Sequence, residues 1–318
     1  MKRLGNLYEQ IANLKNLQEA DEKAQRGKSN QYGVLLHNKK REGNLFLLQD
    51  MLLSKTYRTS QYDIFPIHEP KERIVYRLPY FPDRITHHAI MNVLEPIFVS
   101  TFTADTYSCI KGRGIHALLH KLNADLKDIK GTQYCLKFDI KKFYPSIDHD
   151  VLKALLRRKF KDQDLLWLLN EIIDSAPGLP IGNYLSQYLA NFYLTYFDHW
   201  IKEDKSQKYY YRYADDIVIL HSDKVALHKL LLEIKNYLLE LKLDVKDNHQ
   251  VFPVEARGID FVGYVFRHTH VKIRKSIKQN FARKLSKNPN HLSKPSYLGW
   301  LIHANAKHLT KKLIHEKI

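Results

Sequence analysis

The spacing of apolar and polar side chains along the chain predicts a mixture of helices and short strands. Residues 1–60 follow a mostly helical pattern, and the clearest apolar stretch in them is LFLLQDMLL at 45–53. In residues 61–85 four prolines stand among aliphatic and aromatic side chains, a pattern typical of short strands whose ends are marked by proline. These two patterns together favour a fold that combines helices and sheets.

The middle of the chain predicts strands that end at acidic residues. YCLKFDI at 134–140 indicates a strand with Asp139 near its end, and YYYRYADDIVIL at 209–220 indicates two short strands around an acidic turn. Apolar residues at helical spacing predict helices at about 149–160, 164–174, 185–201 and 224–241. Ser222 or Asp223 is the expected N-cap of the last of these helices.

The C-terminal part of the chain is strongly basic. GIDFVGYVF at 258–266 predicts a final strand before it. From residue 271 to the end there are twelve Lys or Arg against one acid, Glu316. Pro289 and Pro295 interrupt this stretch, so two helices are expected there rather than one.

The overall charge narrows the class of partner. Lys and Arg outnumber Asp and Glu by 51 to 34 in 318 residues, which gives a net charge of +17. Such an excess favours nucleic acid or an anionic membrane surface. No apolar run approaches the roughly 18 residues of a membrane-spanning helix, and MKRLGNLYEQ lacks the apolar core of a signal peptide. No membrane partner is therefore expected.

The cysteines and histidines of the sequence show no spacing typical of a zinc site. Cys109 and Cys135 are the two cysteines, too few for a disulfide framework or a cysteine-based metal site. The 17 histidines show neither an HExxH spacing nor a pairing with cysteines. A reducing cytoplasm is the expected location.

The acidic turn Tyr213-Ala214-Asp215-Asp216 is the first candidate for chemistry. Two adjacent carboxylates between apolar strands repel each other unless a cation lies between them. A hard divalent ion bound by oxygen ligands removes this repulsion. The alternative interpretation is an ordinary hairpin turn, because Asp is common in turns.

Asp139 makes the interpretation more specific. It ends a predicted strand 76 residues before Asp215. If the two strands lie side by side in one sheet, Asp139 meets Asp215 and Asp216, and three carboxylates at the end of a sheet form a two-metal site. Taken alone, Asp139 is better explained as an acid in a turn or at a helix N-terminus.

Four motifs occur together in a recognisable order. They are FDIKKFYPSIDH, GLPIGNYLSQYLANFYL, YYRYADDIVIL and GIDFVGYVF. Their order and spacing resemble the palm motifs of reverse transcriptases, and LPIGNxxSQ resembles the form found in the diversity-generating retroelements of bacteria and phages. HEPKERIVYRLPYFPDRITHHAI resembles the fingers of this family, and RHTHVKIRKS with SYLGWLIHANAKHL resembles its thumb. Ala214, where many relatives have Met, and Tyr184-Leu185, where Leu-Thr is commoner, depart from the pattern without removing a catalytic group.

The resemblance implies an α+β, right-hand polymerase fold with fingers, a palm containing an antiparallel sheet, and a small helical thumb. The expected divisions are an N-terminal helical segment at 1–60, fingers at 61–133, a palm at 134–266 and a basic thumb at 267–318.

The resemblance also implies the metal ligands. Asp139 and Asp215 match the principal ligands, Asp216 matches the third acid, and the carbonyl of Ile140 completes the set. The expected cofactor is Mg²⁺, as two ions, with Mn²⁺ as the alternative.

Two further groups match the nucleotide site of the family. Tyr144 lies where these enzymes place an aromatic steric gate against a 2′-hydroxyl; the alternative is that Tyr144 or Phe143 packs in the core. Arg73, helped by Lys71, matches cations that grip the triphosphate. The alternative for them is a solvated basic turn.

Gly178 to Gln187 match the loop beneath the nascent base pair. Ile181, Gly182 and Gln187 are the expected nucleotide-binding residues there, and Gly182 permits a tight backbone. Ile181 stands where faithful relatives have Gln; the alternative is a packing role. For Ser186 and Gln187 the alternative is helix capping.

The end of the chain matches regions that hold nucleic acid. Phe261, Gly263 and Tyr264 match the hairpin that grips the primer, with a buried strand as the alternative. The expected nucleic-acid-binding residues of the thumb, or alternatively a merely solvated face, are Arg274, Lys275, Lys278 and Trp300.

The expected function is RNA-directed DNA synthesis that is error-prone at template adenines. The expected partners are a structured RNA template, a DNA or RNA primer, deoxynucleoside triphosphates and a small basic accessory protein, in a bacterial or phage-encoded system. The alternatives are a related reverse transcriptase in antiphage defence or another retroelement, and a non-catalytic RNA-binding protein. Lys246 and His249 both remain candidates for the proton donor to pyrophosphate.

Overall fold

The chain divides into two compact units whose segments alternate along the sequence. The computed structural model describes residues 3–68, 72–288, 292, 294–306 and 311. The first unit comprises Met1–Thr103, Lys141–Asp198 and Glu240–Leu243. The second comprises Ala104–Ile140, His199–Leu239 and Asp244–Ile318. The four functional divisions expected from the sequence are not tested by this partition and stay a prediction.

Helices and short strands alternate along the described residues. The α-helices are α1 (Tyr8–Ala12), α2 (Leu14–Gln25), α3 (Tyr32–Asn38), α4 (Arg41–Leu53), α5 (Ile85–Thr101), α6 (Ile115–Asp125), α7 (Phe143–Ser146), α8 (His149–Lys159), α9 (Gln163–Ile173), α10 (Tyr184–Tyr193), α11 (Thr195–His199), α12 (Lys224–Glu240), α13 (Val254–Arg257), α14 (Lys275–Lys287) and α15 (Lys294–Ile302). The strands are β1 (Asp63–Ile67), β2 (Arg73–Arg77), β3 (Tyr134–Asp139), β4 (Tyr209–Tyr213), β5 (Asp216–His221), β6 (Gln250–Pro253), β7 (Ile259–Phe261), β8 (Tyr264–Phe266) and β9 (Val271–Ile273). Wider π-helical turns lie at Tyr80–Arg84 and Trp200–Asp204.

The first unit is mostly helical. The helices predicted in residues 1–60 are α1 to α4, and each of them buries part of its apolar side chains. Asp21, which is buried on α2, is held by the Arg41 guanidinium at 2.5 Å and by the Tyr80 hydroxyl. Burial of an aspartate requires such partners, because an unpaired buried charge is strongly unfavourable. This ion pair fixes α2 against α4.

Two strands form a hairpin in the same unit. β1 pairs with β2 in antiparallel register, with Asp63 opposite Arg77 and Ile67 opposite Arg73. These are the short strands that the proline-rich pattern predicts. The hairpin leads through the turn at Tyr80–Arg84 into the long helix α5.

The remaining helices of this unit follow the predictions with one difference. α8 and α9 lie where apolar spacing predicts them. The single helix predicted at 185–201 ends instead at Tyr193, and α11 begins two residues later. Leu194 separates them with φ and ψ of −95° and 2°, so the apolar pattern continues although the helix does not.

The second unit contains the central sheet. Its four strands have the order β4-β5-β3-β6, and every neighbouring pair is antiparallel. β3 and β5 are buried for most of their length, which explains their continuous apolar sequences. α12 follows β5, and the Asp223 carboxylate accepts from Val225 N at 2.8 Å, so Asp223 rather than Ser222 caps it.

A second, three-stranded sheet has the order β7-β8-β9. The single strand predicted at 258–266 is wrong, because Val262 and Gly263 both take positive φ and turn the chain into a hairpin. Within its described residues the basic tail contains the helices α14 and α15, in agreement with the prediction of two helices. Pro295 lies in the first turn of α15, where proline is tolerated, and Pro289 lies outside the described residues. No helix within the described residues is both long and apolar enough to cross a membrane.

Candidate active site

The antiparallel register of the central sheet brings the predicted acids together. Asp139, the last residue of β3, lies directly opposite Asp216, the first residue of β5. Opposite residues of an antiparallel pair have Cα atoms about 4.5–5.5 Å apart. The turn between β4 and β5 is tight, because Ala214 takes φ of +55° and Tyr213 pairs with Asp216.

Asp215 is held at the same end of the sheet by the backbone. Its carbonyl oxygen accepts a hydrogen bond from the Ile140 N–H at 3.2 Å. The Ile140 side chain is fully buried and its backbone bridges to Val245. The three carboxylates and Ile140 therefore occupy one small region, as the sequence predicts.

Two ammonium groups lie beside these acids. Lys246 Nζ is 3.2 Å from Asp139 Oδ2 and 3.9 Å from Asp215 Oδ2. The Lys246 N–H also donates to the Asp139 carbonyl at 2.9 Å, which fixes the position of the lysine backbone. Lys137 Nζ is 3.7 Å from Asp216 Oδ1.

His249 does not approach the acids in this way. Its Nδ1 hydrogen-bonds to the Lys246 carbonyl at 2.9 Å, and its Nε2 lies 3.4 Å from Lys235 Nζ. Of the two candidates left open by the sequence, Lys246 is thus the one that contacts Asp139 and Asp215.

Asp216 has the most perturbed environment of the three acids. The pKa of its carboxyl is raised to about 7, chiefly by burial and also by the charges of Asp139 and Asp215, while the charge of Lys137 lowers it. Its Oδ1 atom is buried and has no hydrogen-bond partner. Buried carboxylate oxygens normally have partners, so this atom is suited to an additional cationic ligand.

The oxygen atoms of the three carboxylates and of the Ile140 carbonyl are suitable ligands for a hard divalent ion. Carboxylate and carbonyl oxygens are the ligands that Mg²⁺ prefers, and the buried Asp216 Oδ1, which has an ion-pair contact with Lys137 but no hydrogen bond, supplies one of them. Among the described residues, however, no three His, Cys, Asp or Glu side chains are already arranged around a common point for a metal. Lys246 and Lys137 instead provide the positive charge next to the acids.

Arg212 is a site residue that the sequence reasoning missed. It is fully buried on β4, and its Nη1 donates to the Ala214 carbonyl at 3.1 Å. Its backbone exchanges hydrogen bonds with Asp105 and Tyr107, each of 3.0 Å. An arginine in the otherwise aromatic strand YYYRY was the available signal. Through its bond to the Ala214 carbonyl, the Arg212 side chain stabilises the acidic turn.

The predicted nucleotide-binding loop is assembled in the first unit. The Leu179 N–H donates to the Tyr144 carbonyl at 2.9 Å. Gly178 takes φ of +60°, and a Cβ there would lie 2.5 Å from the Tyr144 carbonyl oxygen. Phe143 is buried whereas Tyr144 is half-buried, so Phe143 is the aromatic residue that packs in the core.

The same loop is joined to the β1–β2 hairpin. The Ile181 carbonyl accepts from the Tyr76 N–H at 2.9 Å. Gly182 takes φ of +120°, and a Cβ there would lie 2.8 Å from the Tyr76 carbonyl oxygen. Glycine is therefore required at this position by both the backbone conformation and the close approach.

The structure gives the positions of some of the other residues that the sequence predicts to contact the nucleotide. α10 begins after Asn183, so Ser186 and Gln187 lie inside the helix, and the capping alternative is wrong; Gln187 is exposed. Arg73 is exposed at the start of β2. Lys71 lies outside the described residues.

The predicted primer-grip hairpin is β7–β8. Phe261 and Tyr264 pair with each other and are fully buried, so any contact with a primer would fall to the backbone of the turn. Trp300 is half-buried against this turn; its ring centroid lies 5.0 Å from that of Tyr264. A Cβ on Gly263 would overlap Trp300.

The predicted cations of the C-terminal region differ in their exposure. Arg274 forms an ion pair with Asp260 at 2.6 Å. Lys275 and Lys278 are exposed on α14. These two lysines remain available to an anionic partner.

The chain is similar to several known proteins. Residues 68–266 match the family described as "Reverse transcriptase (RNA-dependent DNA polymerase)". Protein YkfC of Escherichia coli is 24% identical over 76% of this chain and 77% of its own length. The Retron Ec73 reverse transcriptase of Escherichia coli is 31% identical over 57% of this chain and 61% of its own length. An uncharacterized 91 kDa protein in a cob intron of Schizosaccharomyces pombe is 30% identical, but the match spans only 16% of that protein and 39% of this chain.

Solved structures confirm the fold class. Apo telomerase from Candida tropicalis superposes with a TM-score of 0.52 at 14% identity, covering 70% of this chain and 49% of that one. Telomerase from Candida albicans gives a TM-score of 0.52 at 12% identity, covering 74% of this chain and 52% of that one. The predicted α+β, right-hand polymerase fold is therefore confirmed. The family match spans well over half of the chain and includes Asp139, Asp215 and Asp216, and the chain belongs to the reverse transcriptase (RNA-dependent DNA polymerase) family.

Proposed function

We propose that this protein synthesises DNA on an RNA template by adding deoxynucleotides to the 3′-hydroxyl of a primer. The observation that supports this most strongly is the placement of Asp139 opposite Asp216, with Asp215 and Lys246 beside them. Two Mg²⁺ ions, or Mn²⁺, held by the three carboxylates and the Ile140 carbonyl, would neutralise charge on the attacking and leaving oxygens.

Lys246 is the proposed proton donor to the leaving pyrophosphate. Its ammonium group lies within 4 Å of both Asp139 and Asp215, so it is held at the reacting end of the sheet. His249 is engaged by the Lys246 carbonyl and by Lys235 instead. Proton donation to a leaving group typically contributes about 10²–10⁴-fold to the rate.

The incoming nucleotide is assigned to the first unit. Tyr144 is proposed as the steric gate, since its half-buried ring is next to the buried Phe143 and its carbonyl is bonded to the loop at Leu179. Ile181, Gly182 and Gln187 are proposed to lie under the nascent base pair. Arg73, with Lys71, is proposed to bind the triphosphate.

The primer and the duplex are assigned to the second unit. The turn between Phe261 and Tyr264, with Gly263 in it, is the proposed primer grip. The proposed contacts to the nucleic-acid backbone are made by Arg274, Lys275, Lys278 and Trp300. Exposed lysines on one helix suit phosphate neutralisation.

At a finer level we place the protein in a diversity-generating retroelement of bacterial or phage origin. The LPIGN loop with Ile181 supports this assignment. The proposed partners are a structured RNA template and a small basic accessory protein, and the proposed location is the cytoplasm, where RNA and nucleotides are available. Similarity to the Retron Ec73 reverse transcriptase supports the second candidate, a related enzyme serving antiphage defence or another retroelement.

Primer extension tests the proposed activity. Purified protein should extend a DNA primer on an RNA template with deoxynucleotides and Mg²⁺. Asp139→Ala, Asp215→Ala and Asp216→Ala should each lower the rate at least about 10²-fold, because each removes a ligand of the charge-neutralising ions. RNA affinity should be retained in all three.

The matched control is Asp244→Ala, an exposed aspartate of the same unit, which should extend like wild type. Near-normal extension by Asp215→Ala would contradict the assignment of the acids. Absence of extension by wild type that still binds RNA would favour the non-catalytic alternative.

A further inference from the structure

Lys137 is a half-buried lysine on β3 that no step of the proposed reaction uses. It lies two residues before Asp139, and alternate residues of a strand point to the same face of the sheet. Only 23% of its side chain is exposed, and its neighbours in the strand, Leu136 and Phe138, are buried. A lysine in such a place requires partners, because burying an ammonium group is unfavourable unless it is paired.

The ammonium group of Lys137 joins strands of two different sheets. Its Nζ lies 3.7 Å from Asp216 Oδ1 at the start of β5. It also donates a hydrogen bond to the Asp260 carbonyl on β7, and it lies 5.9 Å from the centre of the Phe261 ring, within the range of a cation–π contact. β5 belongs to the four-stranded sheet and β7 to the three-stranded sheet, so this side chain bridges the two sheets beside the acids.

A cavity of about 190 Å³ lies next to this bridge. Its lining includes Lys137 and Asp139 of β3, Gln250 and Phe252 of β6, and Asp260 of β7. Packed side chains do not fill this space, so the ammonium group of Lys137 supports β7 across a gap.

The bridge continues to the turn of the β7–β8 hairpin. The Asp260 carboxylate is paired with the Arg274 guanidinium at 2.6 Å. The Arg274 N–H donates to the carbonyl of Gly263, a residue of the turn, at 2.9 Å. A continuous chain of polar contacts within the second unit therefore leads from Asp216 through Lys137 to this turn.

We infer that Lys137 is a positioning residue that holds the Asp216 carboxylate at a fixed distance from β7, and hence from the turn proposed to grip the primer. Contacts of an ammonium group with charged and carbonyl oxygens are stronger than those between neutral groups. A displacement of about 1 Å between reacting groups can lower a rate about 10²-fold. The inference rests on the proposed function, in which Asp216 acts at the 3′ end of the primer.

The rate of single-nucleotide addition to a primer on an RNA template tests the inference. Lys137→Met removes the ammonium group and keeps an unbranched side chain. The maximal rate, with saturating primer–template and deoxynucleotide, should fall about ten-fold or more. The KM for the deoxynucleotide should stay within about two-fold of the wild-type value, because the residues proposed to bind it belong to the other unit.

A rescue variant and a matched control make the result specific. Lys137→Arg keeps a cation with several donors and should recover most of the rate. Lys208→Met should extend like wild type, although Lys208 makes the same two kinds of contact. Its Nζ lies 3.7 Å from Asp128 Oδ2 and 4.7 Å from the centre of the Tyr209 ring, at the end of β4 away from the acids. Thermal unfolding shows whether each variant is folded, and Lys137→Gln, with the same expected loss of rate, replaces an unfolded Lys137→Met.

Amide hydrogen exchange followed by mass spectrometry tests the bridge without polymerisation. In Lys137→Met the peptide that covers residues 258–266 should exchange several-fold faster than in wild type, because the hairpin opens locally more often. In Lys208→Met the same peptide should exchange like wild type. No primer, template or nucleotide is present, so this measurement tests the bridge even if wild type fails to extend a primer and the proposed function is wrong.

Two outcomes would overturn the inference. Equal maximal rates for folded Lys137→Met and Lys208→Met, or equal exchange of the 258–266 peptide in the two variants, would show that Lys137 is only a charged residue at the edge of the sheet. A raised KM for the deoxynucleotide at an unchanged maximal rate would assign Lys137 to nucleotide binding instead.

Discussion

At the scale of single residues, the sequence identified the three acids of the site, whereas the tertiary structure identified the lysine beside them. Asp139, Asp215 and Asp216 were identifiable because acids at the ends of apolar strands are costly unless a cation is near. The sequence did not distinguish between Lys246 and His249, because both residues follow α12 at a similar distance along the chain. The structure brings the Lys246 ammonium group to 3.2 Å from Asp139 Oδ2, and its role as proton donor stays a proposal.

Tyr144 is the residue that tests selection of the sugar. Tyr144→Ala opens space where a 2′-hydroxyl would lie, so incorporation of ribonucleotides should rise about ten-fold or more relative to deoxynucleotides. The ratio of kcat/KM for the two nucleotides is the quantity to measure. Phe143 is buried, so Phe143→Leu serves as the packing control. An unchanged ratio in folded Tyr144→Ala would place the gate elsewhere.

Ile181 is the residue that tests fidelity. A Gln amide in this position can hydrogen-bond near the template, whereas an aliphatic side chain cannot. One such bond contributes about 0.5–1.5 kcal/mol, which corresponds to a two- to ten-fold change in misincorporation. Ile181→Gln should therefore reduce errors by about that factor, mainly opposite template adenines, as measured by sequencing cDNA from a defined RNA.

Ile181→Leu, which keeps an apolar side chain, should retain the wild-type error pattern. If wild type makes uniformly few errors opposite all four template bases, the diversifying role is wrong and the second candidate function stands.

At the scale of secondary-structure elements, Gly263 determines where an apolar segment forms a turn instead of one continuous strand. The segment 258–266 has the alternation of one strand, but it forms the β7–β8 hairpin. Gly263 takes φ of +88° and packs against Trp300 and Ile277 of the helices that follow. The sequence pattern shows which faces are apolar, but not that a later helix covers the turn.

Replacing Gly263 should destabilise the second unit. A Cβ there would lie 2.6 Å from Trp300 Cη2 and 2.9 Å from Ile277 Cδ1, on a backbone with positive φ. Gly263→Ala should therefore lower the free energy of unfolding by about 2–4 kcal/mol, as measured by urea denaturation. Gly299→Ala is the control, since a Cβ there meets nothing within 4 Å and the helix propensity gain is up to about 1 kcal/mol. Equal stability of the two variants would contradict the packing argument.

At the scale of the whole molecule, the two units are built from alternating segments of the chain. β3 and the β4–β5 pair belong to one sheet, although Lys141–Asp198 between them folds in the other unit. The site therefore depends on long-range pairing, and a cluster of acids assembled in this way should affect the stability of the folded state.

The pH dependence of stability tests that cluster. In the folded protein burial raises the pKa of Asp216 to about 7, above the value of about 3.9 for an exposed aspartate. The folded state thus binds this proton more tightly than the unfolded state. In metal-free solution the free energy of unfolding of wild type, relative to Asp216→Asn, should fall as pH rises from about 4 to above 7, by on the order of 2 kcal/mol.

Urea denaturation with a chelator at a series of pH values measures this difference. Asp244→Asn, at an exposed position, should keep the wild-type profile. Mg²⁺ should restore stability to wild type more at pH 8 than at pH 5, because a cation competes with the proton for the carboxylate. Parallel profiles for wild type and Asp216→Asn would contradict the assigned environment.

The sequence by itself determined the fold class, most helices, the strands that carry the acids and the choice of Asp139, Asp215 and Asp216 as candidate ligands. The helices, the strands and the candidate acids follow from periodicity, turn chemistry and charge repulsion, which act over a few residues. The fold class follows from the resemblance that the four ordered motifs carry. Only the tertiary structure decided which groups face those residues. Arg212 behind the acidic turn, Lys246 beside Asp139 and Trp300 over Gly263 are set by contacts between distant segments, and such contacts leave no periodic signal in the sequence.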